Sequence, residues 1–211
     1  MHVILIHGMG RTPLAMGLLA YRLYQRGIQP SLFGYSPTFE RWHGCLERYR
    51  RFIDERTKNR PYIVVGHSLG NVITRGVWPS LAHKPEAFFL LAPPSRACAA
   101  ARKLAPLSLY RVLFGEMGQL LADSEFMDSL PVPDAFMKIY AGDAGPVGRF
   151  SPFAAEANDG ILAVDETRIP GVVLQKIPAS HTFIMNRPEV AEDIARQVAV
   201  LLFEQRGDPV S

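Results

Sequence analysis

The sequence is poor in cysteine and has no long apolar run, and each shortage excludes a class of protein. The two cysteines among 211 residues, Cys45 and Cys98, form no C-x-x-C pair, which favours a reducing compartment over a disulfide-stabilised secreted fold. The first residues, MHVILIHGMGR, have no basic region and too short an apolar run for a signal peptide. No stretch approaches the roughly 18 apolar residues of a membrane span. We therefore expect a cytoplasmic protein without integral membrane association.

The sequence also lacks a strong excess of charge of either sign. Its 23 basic and 20 acidic residues leave a formal net charge of +3, which is too little to suggest a nucleic-acid partner. The densest basic stretch, 48–60, is interleaved with Asp54 and Glu55, as on the solvated face of a helix. We therefore expect no binding of nucleic acid.

Motifs for binding phosphate, cofactors or metal ions are missing as well. The stretch HGMGR at 7–11 lacks the G-x-G-x-x-G pattern of dinucleotide-binding proteins, and no lysine follows it as in a P-loop. The sequence shows no set of metal ligands and no flavin or nicotinamide motif. We therefore expect neither a cofactor nor a metal ion.

Apolar, β-rich segments recur along the chain and alternate with helical patterns. Each segment is continuous, as parallel strands are when helices cover both faces of a sheet. This alternation predicts an α/β fold with a parallel sheet, and the length suits a single domain over 1–211. The predicted strands are 2–7, 31–35, 62–66, 87–92, 137–142 and 172–177, and the predicted helices are 14–26, 39–57, 69–81 and 188–205.

The segment 95–135 departs from this alternation, because it contains no strand pattern and predicts several short helices. One interpretation is an ordinary covering helix with its connections. The other is a helical cap over a pocket, since insertions in such sheets gather on the side where ligands bind.

The stretch GHSLG at 66–70 places Ser68 between two glycines, directly after the predicted strand YIVVG. This is the nucleophile-elbow pattern G-x-S-x-G, in which a tight strand-to-helix turn exposes a serine hydroxyl. The first N–H groups of the following helix would face the space above Ser68, where a developing oxyanion would be stabilised. The alternative is a tight turn with an N-cap serine.

A serine nucleophile needs a base, and His181 is the candidate among the six histidines. It follows the strand VVLQKI and lies at the same sheet end as Ser68, whereas the side chain of His67 is expected to point elsewhere on the turn. A surface loop histidine is the alternative. Two acids could orient the base: Asp143 directly follows the strand MKIYAG, and Asp159 lies in the loop after it. Both satisfy the order Ser, Asp, His, and strand-end geometry favours Asp143.

The loop after the first strand, LIHGMGR, can supply a second oxyanion donor. His7 and Gly8 end that strand, which leaves the N–H of Met9 free to point inward. A plain glycine-rich turn would explain this loop too, but not its occurrence at the same sheet end as GHSLG.

Four stretches together resemble small bacterial α/β-hydrolases of the lipase and esterase type: HGMG at 7–10, GHSLG at 66–70, NDGILAVDET at 158–167 and SHTFIM at 180–185. The resemblance covers nearly the whole chain. It implies the α/β-hydrolase fold in a reduced form, with six mainly parallel strands. Together with the patterns described above, it leads us to expect helices on both faces and a helical cap-like segment at 95–135.

The resemblance also implies a triad of Ser68, Asp159 and His181. It favours Asp159 over Asp143, because lipase-like members often carry the acid in D-G followed by an apolar residue. By the same resemblance, the oxyanion-hole N–H groups belong to Met9 and Leu69.

The activity implied is cleavage of a small-molecule carboxylic ester through an acyl-enzyme, without a metal. Thioester hydrolysis or acyl transfer would use the same serine and is kept as an alternative. A non-catalytic module that binds a lipid or a partner protein is the alternative from another class.

Overall fold

The computed structural model describes residues 1–149 and 151–206, and its centre is a sheet of six strands. These are β1 His2–Ile6, β2 Gln29–Phe33, β3 Tyr62–His67, β4 Ala87–Leu91, β5 Phe136–Gly142 and β6 Val173–Ile177. They lie side by side in the order β2-β1-β3-β4-β5-β6, and each neighbouring pair is parallel. The predicted six-stranded parallel sheet is therefore confirmed.

The described residues form seven α-helices, of which six lie between strands and the seventh follows β6. They are α1 Gly17–Tyr24, α2 Trp42–Thr57, α3 Leu69–Val77, α4 Ala99–Leu104, α5 Ser108–Leu120, α6 Ser124–Ser129 and α7 Pro188–Arg206. None of the helices in the described chain combines the length and the apolar character that a membrane span requires.

Alternate residues of each central strand feed two separate hydrophobic cores. On one face, Ile4 and Val64 pack beneath α2 and α3, and buried residues of α5 and α6 extend the same cluster. On the other face, Val3 and Ile63 pack beneath α1 and α7. Because both faces of a parallel strand are buried, its sequence is apolar throughout. Helices therefore cover both faces of the sheet, as predicted.

Several boundaries differ from those predicted, and the predicted helix 14–26 is the shorter α1, which follows a 3-10 turn at Pro13–Met16. β2 begins at Gln29 and includes Pro30, which an edge strand tolerates because its missing N–H can face solvent. α2 begins at Trp42 instead of residue 39, because the backbone N–H of Glu40 donates to the Ser36 carbonyl and closes a turn there. α3 ends at Val77 and continues as a short 3-10 turn.

The segment 95–135 forms α4, α5 and α6, so the expectation of several short helices is confirmed. α5 is interrupted at Gly115, whose φ is +49°. A Cβ at this position would lie 2.7 Å from the carbonyl oxygen of Pro37, so both the backbone conformation and the close approach favour glycine. The interruption seats α5 against the loop between β2 and α2.

The start of α3 approaches the end of β1 unusually closely. A Cβ on Gly70 would lie 2.7 Å from the carbonyl oxygens of both Ile6 and His7, which is closer than real Cβ atoms come to backbone. We predict that Gly70→Ala lowers the free energy of unfolding by about 1–3 kcal/mol through overpacking, as measured by urea denaturation.

The matched control is Gly44→Ala. Gly44 lies within α2, and a Cβ there would meet nothing within 4 Å, so its replacement should raise the free energy of unfolding by about 0.4–1 kcal/mol. Equal effects of the two substitutions would contradict the close approach of α3 to β1.

Candidate active site

Ser68 occupies the turn between β3 and α3 in a strained backbone conformation. Its φ of +51° and ψ of −121° lie in a region that residues with side chains rarely adopt. Two backbone hydrogen bonds hold the turn: Ser68 N–H donates to the Leu91 carbonyl at 3.0 Å, and Asn71 N–H donates to the Ser68 carbonyl at 2.9 Å. The turn thereby lifts the Ser68 side chain above the carboxyl end of the sheet.

Close approaches explain why glycines surround Ser68. A Cβ on Gly66 would collide with the side-chain oxygen of Asn71. A Cβ on Gly8, in the loop after β1, would lie 2.6 Å from His67 Nδ1 and 3.0 Å from Ser68 Cβ. The loop after β1 therefore packs directly against the serine turn, and only glycine permits that approach.

Ser68, His181 and Asp159 form a continuous chain of hydrogen bonds. The distance from Ser68 Oγ to His181 Nε2 is 3.0 Å, and His181 Nδ1 lies 2.7 Å from Asp159 Oδ2. The carboxylate accepts from Nδ1–H, so Nε2 is left as the acceptor for the serine hydroxyl. The three residues lie in the segments that follow β3, β5 and β6, and the structure brings them together.

Asp159 is buried and its carboxylate is fully engaged. It is 2% exposed, and its Oδ1 accepts hydrogen bonds from the N–H groups of Ile161 at 2.9 Å and Leu162 at 2.7 Å. The His181 N–H also donates to the Asp159 carbonyl at 2.8 Å. The loop that carries Asp159, here called the acid loop, therefore forms hydrogen bonds with both the side chain and the backbone of His181.

Asp143 is not joined to His181 by any hydrogen bond among the described residues. Its N–H continues the strand pairing, donating to the Ile177 carbonyl at 3.1 Å. The following loop folds back, because Gly145 N–H donates to the Asn158 carbonyl at 2.7 Å. This brings Asp159 over the end of β5, where a Cβ on Gly142 would lie 2.7 Å from Asp159 Cβ. Asp159, although distant from β5 along the chain, therefore lies beside the end of that strand.

Hydrogen bonds of His7 and Tyr35 fix the loop after β1. Tyr35 N–H donates to His7 Nε2 at 3.4 Å, so the proton of the His7 ring resides on Nδ1, which donates to the Gly8 carbonyl at 2.8 Å. The Tyr35 hydroxyl donates to the His7 carbonyl at 3.1 Å, and the two rings stack 4.4 Å apart. Burial lowers the pKa of His7, which favours this neutral form.

These hydrogen bonds orient the peptide between Gly8 and Met9. Because the carbonyl and N–H of a trans peptide point in opposite directions, a Gly8 carbonyl fixed toward His7 turns the Met9 N–H away from it. Leu69 is the first residue of α3, and its N–H has no partner within the helix. These are the two N–H groups that the sequence suggested as oxyanion donors.

His67 contributes to the site in a way that sequence reasoning missed. Its Nε2 lies 2.9 Å from the His181 carbonyl, and the two rings are 5.0 Å apart. Complete burial, and then the neighbouring His181, lower the pKa of His67 well below its usual value. His67 is therefore a neutral donor that holds the His181 backbone. The only sequence signal was its place beside Ser68.

A cavity beside α4 does not have Ser68 or His181 in its lining. It has a volume of about 510 Å³ and lies between α4 and the acid loop, where Ala100, Leu104, Phe153 and Ile161 supply apolar walls. Gly160, the neighbour of Asp159, also lines it. The cavity therefore adjoins the back of the acid loop and not the serine hydroxyl.

Comparisons with known proteins agree with this architecture. A model of the Alpha/beta hydrolase family matches residues 3–208, and no curated protein matches the sequence. The mature lipase BlEst2 of Bacillus licheniformis has a TM-score of 0.72 at 17% identity, covering 93% of this chain and 90% of that chain.

Two further solved structures are similar. RedJ, a thioesterase of the prodiginine pathway of Streptomyces coelicolor, has a TM-score of 0.60 at 17% identity, covering 95% of this chain and 85% of its own. An extracellular alpha/beta-hydrolase from a Paenibacillus species has a TM-score of 0.60 at 13% identity, covering 97% and 98%. At these identities the likeness shows the fold alone.

The burial of neutral His67 predicts a pH-dependent stability. Its pKa is lowered in the folded state from 6.5, so the unfolded chain binds an extra proton below that pH and the folded state loses stability as the pH falls. We predict that the wild type loses more free energy of unfolding between pH of about 7.5 and about 5.5 than His67→Gln, which has a side-chain donor and does not titrate. Urea denaturation at the two pH values measures this, and parallel losses would contradict the neutral buried state.

Proposed function

This chain belongs to the alpha/beta hydrolase family, and from that membership we propose that it hydrolyses a carboxylic ester through an acyl-enzyme. The observation that carries the proposal is the unbroken chain from Ser68 Oγ through His181 to Asp159, with distances of 3.0 and 2.7 Å. An N-cap serine or a surface histidine would need neither contact.

In the proposed reaction Ser68 Oγ attacks the ester carbonyl while its proton moves to His181 Nε2. The carbonyl oxygen becomes an oxyanion, which accepts hydrogen bonds from the N–H groups of Met9 and Leu69. Asp159 holds the Nδ1–H tautomer and stabilises the imidazolium. When the tetrahedral intermediate collapses, Nε2–H gives its proton to the leaving alcohol and the acyl group stays on Ser68.

Water completes the cycle by the same route. His181 Nε2 takes a proton from the attacking water and returns it to Ser68 Oγ as the carboxylic acid leaves. His7 serves this step and the first one as a positioning residue, because its bond to the Gly8 carbonyl fixes the Met9 N–H. His67 does the same for the backbone of His181.

The whole chain is proposed to act as one catalytic domain with 95–135 as its cap. α5 supports this, because the Tyr110 hydroxyl contacts Met9 Sδ at 4.0 Å and Phe114 lies 3.5 Å from where a Cβ on Gly10 would be. The cap segment therefore contacts the loop of the proposed oxyanion donor.

A cytoplasmic location also stays a prediction, since a similar structure is that of an extracellular hydrolase.

Thioester hydrolysis and acyl transfer share the same acyl-enzyme, and one of the similar structures is a thioesterase. A panel of p-nitrophenyl esters and acyl-thioesters of increasing chain length separates these activities. Higher kcat/KM on oxygen esters favours the esterase, whereas higher kcat/KM on thioesters favours the alternative.

We predict that Ser68→Ala abolishes both ester turnover and covalent labelling by a fluorophosphonate probe. The nucleophilic oxygen is lost, so kcat should fall by at least about 10³-fold. Initial rates and intact-protein mass spectrometry measure the two effects. Labelling that persists in Ser68→Ala would sink the assignment of the nucleophile, and an unlabelled, inactive wild type would favour a non-catalytic binding module.

The acid is tested by a matched pair of substitutions. Asp159→Asn should lower kcat by roughly 10⁴-fold, because an amide no longer enforces the correct tautomer of His181. Asp143→Asn should stay within a few-fold of the wild type, since its carboxylate does not reach the imidazole. Steady-state kinetics on one short ester compares them, and the reverse ranking would transfer the role to Asp143.

A further inference from the structure

The outer side of the cap exposes an unusual group of aliphatic side chains. Five of them, here called the cap face, are between 43% and 70% exposed: Leu104, Leu107, Leu109, Val112 and Leu113. They lie within a single stretch from the end of α4 to the middle of α5. Isolated exposed leucines are ordinary, but a contiguous group of this kind marks an interaction surface.

Contacts on the inner side of α5 keep the cap face outside. Tyr110 is buried on that side, with its hydroxyl donating to the Gly118 carbonyl at 3.3 Å. The Thr38 hydroxyl donates to the Leu113 carbonyl at 2.5 Å, and Trp42 N–H donates to Glu116 Oε2 at 2.9 Å. Because α5 is fixed from within, rotation cannot bury the cap face in the hydrophobic core.

The charged side chains within the stretch that contains the cap face are all positive. Arg102, Lys103 and Arg111 are exposed, and the sequence from Ala99 to Gly115 contains no Asp or Glu. None of the three cations forms an ion pair with a carboxylate of the described residues. Arg111 Nε donates instead to the Ala105 carbonyl at 3.1 Å. The cap face therefore lies beside three exposed cations that form no ion pair with the described residues, while the nearest carboxylates are Glu116 on α5 and those that line the cavity beside Lys103.

We propose that the cap face docks on an anionic lipid surface, with the aliphatic side chains entering the acyl region and the cations contacting headgroups. This combination is the pattern of interfacial amphipathic helices. Protein interfaces, by contrast, are enriched in aromatic residues, and the exposed apolar residues of the cap face are all Leu or Val. The docking part of the proposal is independent of the chemistry at Ser68.

The location of the cap face points to the class of substrate, and this step rests on the proposed function. The inner side of α5 contacts the Met9 loop, so docking would place the proposed oxyanion hole one helix diameter, roughly 10 Å, from the lipid surface. We infer an ester with a long hydrocarbon chain, taken from the lipid surface.

Vesicle co-sedimentation of the full chain carrying Ser68→Ala tests docking without turnover. Vesicles of phosphatidylcholine with about one third phosphatidylglycerol should bind the protein more tightly than pure phosphatidylcholine, with the difference shrinking as salt is raised. Adding Leu109→Ser and Val112→Ser should lower the partition coefficient by about tenfold or more. Adding Arg102→Glu and Lys103→Glu should remove the preference for anionic vesicles.

The matched control is Leu14→Ser with Tyr24→Ser, which removes two equally exposed apolar side chains near and on α1. This control should leave vesicle binding unchanged, and thermal melting should show that every variant is folded. Equal binding of the cap variant and the control, or binding of an acidic acyl-carrier protein in place of vesicles, would overturn the proposal. Vesicle binding by a wild type that cleaves no ester would support docking and overturn the proposed function instead.

Discussion

The site depends on one backbone constraint, the strained conformation of Ser68 between β3 and α3. A residue with a side chain at φ +51° and ψ −121° costs of the order of 1–3 kcal/mol, and it persists only where the surroundings over-determine it. Here the surroundings are backbone from three strands. Ser68 N–H is held by the residue that ends β4, and the neighbouring Gly70 packs against the carbonyl groups at the end of β1. The sheet therefore holds Ser68 in place, and the glycines at 66 and 70 allow the backbone of the turn to approach its neighbours closely.

Three histidines around Ser68 have one feature in common: a ring nitrogen of each forms a hydrogen bond with a fixed acceptor. His7 donates to the Gly8 carbonyl, and His67 pairs with the His181 carbonyl. His181 in turn pairs with the buried carboxylate of Asp159. Burial lowers the pKa of both His7 and His67, so these two rings are neutral and hold the backbone of Gly8 and His181 through hydrogen bonds. His181 alone has its second nitrogen turned to the serine hydroxyl, which separates the proposed base from its supports.

Much of the fold follows from the sequence, because a strand buried on both faces must be apolar throughout and the helical patterns between strands fix the parallel topology. The predicted β2 began two residues too late, because Pro30 argues against a strand at its position. Proline is tolerated there only because β2 lies at the edge of the sheet. The motif NDG pointed to Asp159 as the proposed acid, whereas the position of Asp143 at the end of a strand pointed to Asp143. That reasoning follows the chain, whereas the contact depends on a loop that folds back from Asp143 over the end of β5. The support from His67 could not be predicted, because it depends on the placement of a loop more than a hundred residues later in the chain.

The proposed catalysis requires that the oxyanion of the tetrahedral Ser68 adduct accepts hydrogen bonds from two N–H groups, one from the loop after β1 and one from α3. A crystal structure of the covalent adduct with an alkyl phosphonate tests this directly, since the phosphoryl oxygen stands in for the oxyanion of the tetrahedral intermediate. We expect this oxygen at about 2.7–3.1 Å from the N–H nitrogens of both Met9 and Leu69, with His7 Nδ1 still donating to the Gly8 carbonyl. An adduct on Ser68 whose phosphoryl oxygen contacts neither N–H would contradict it.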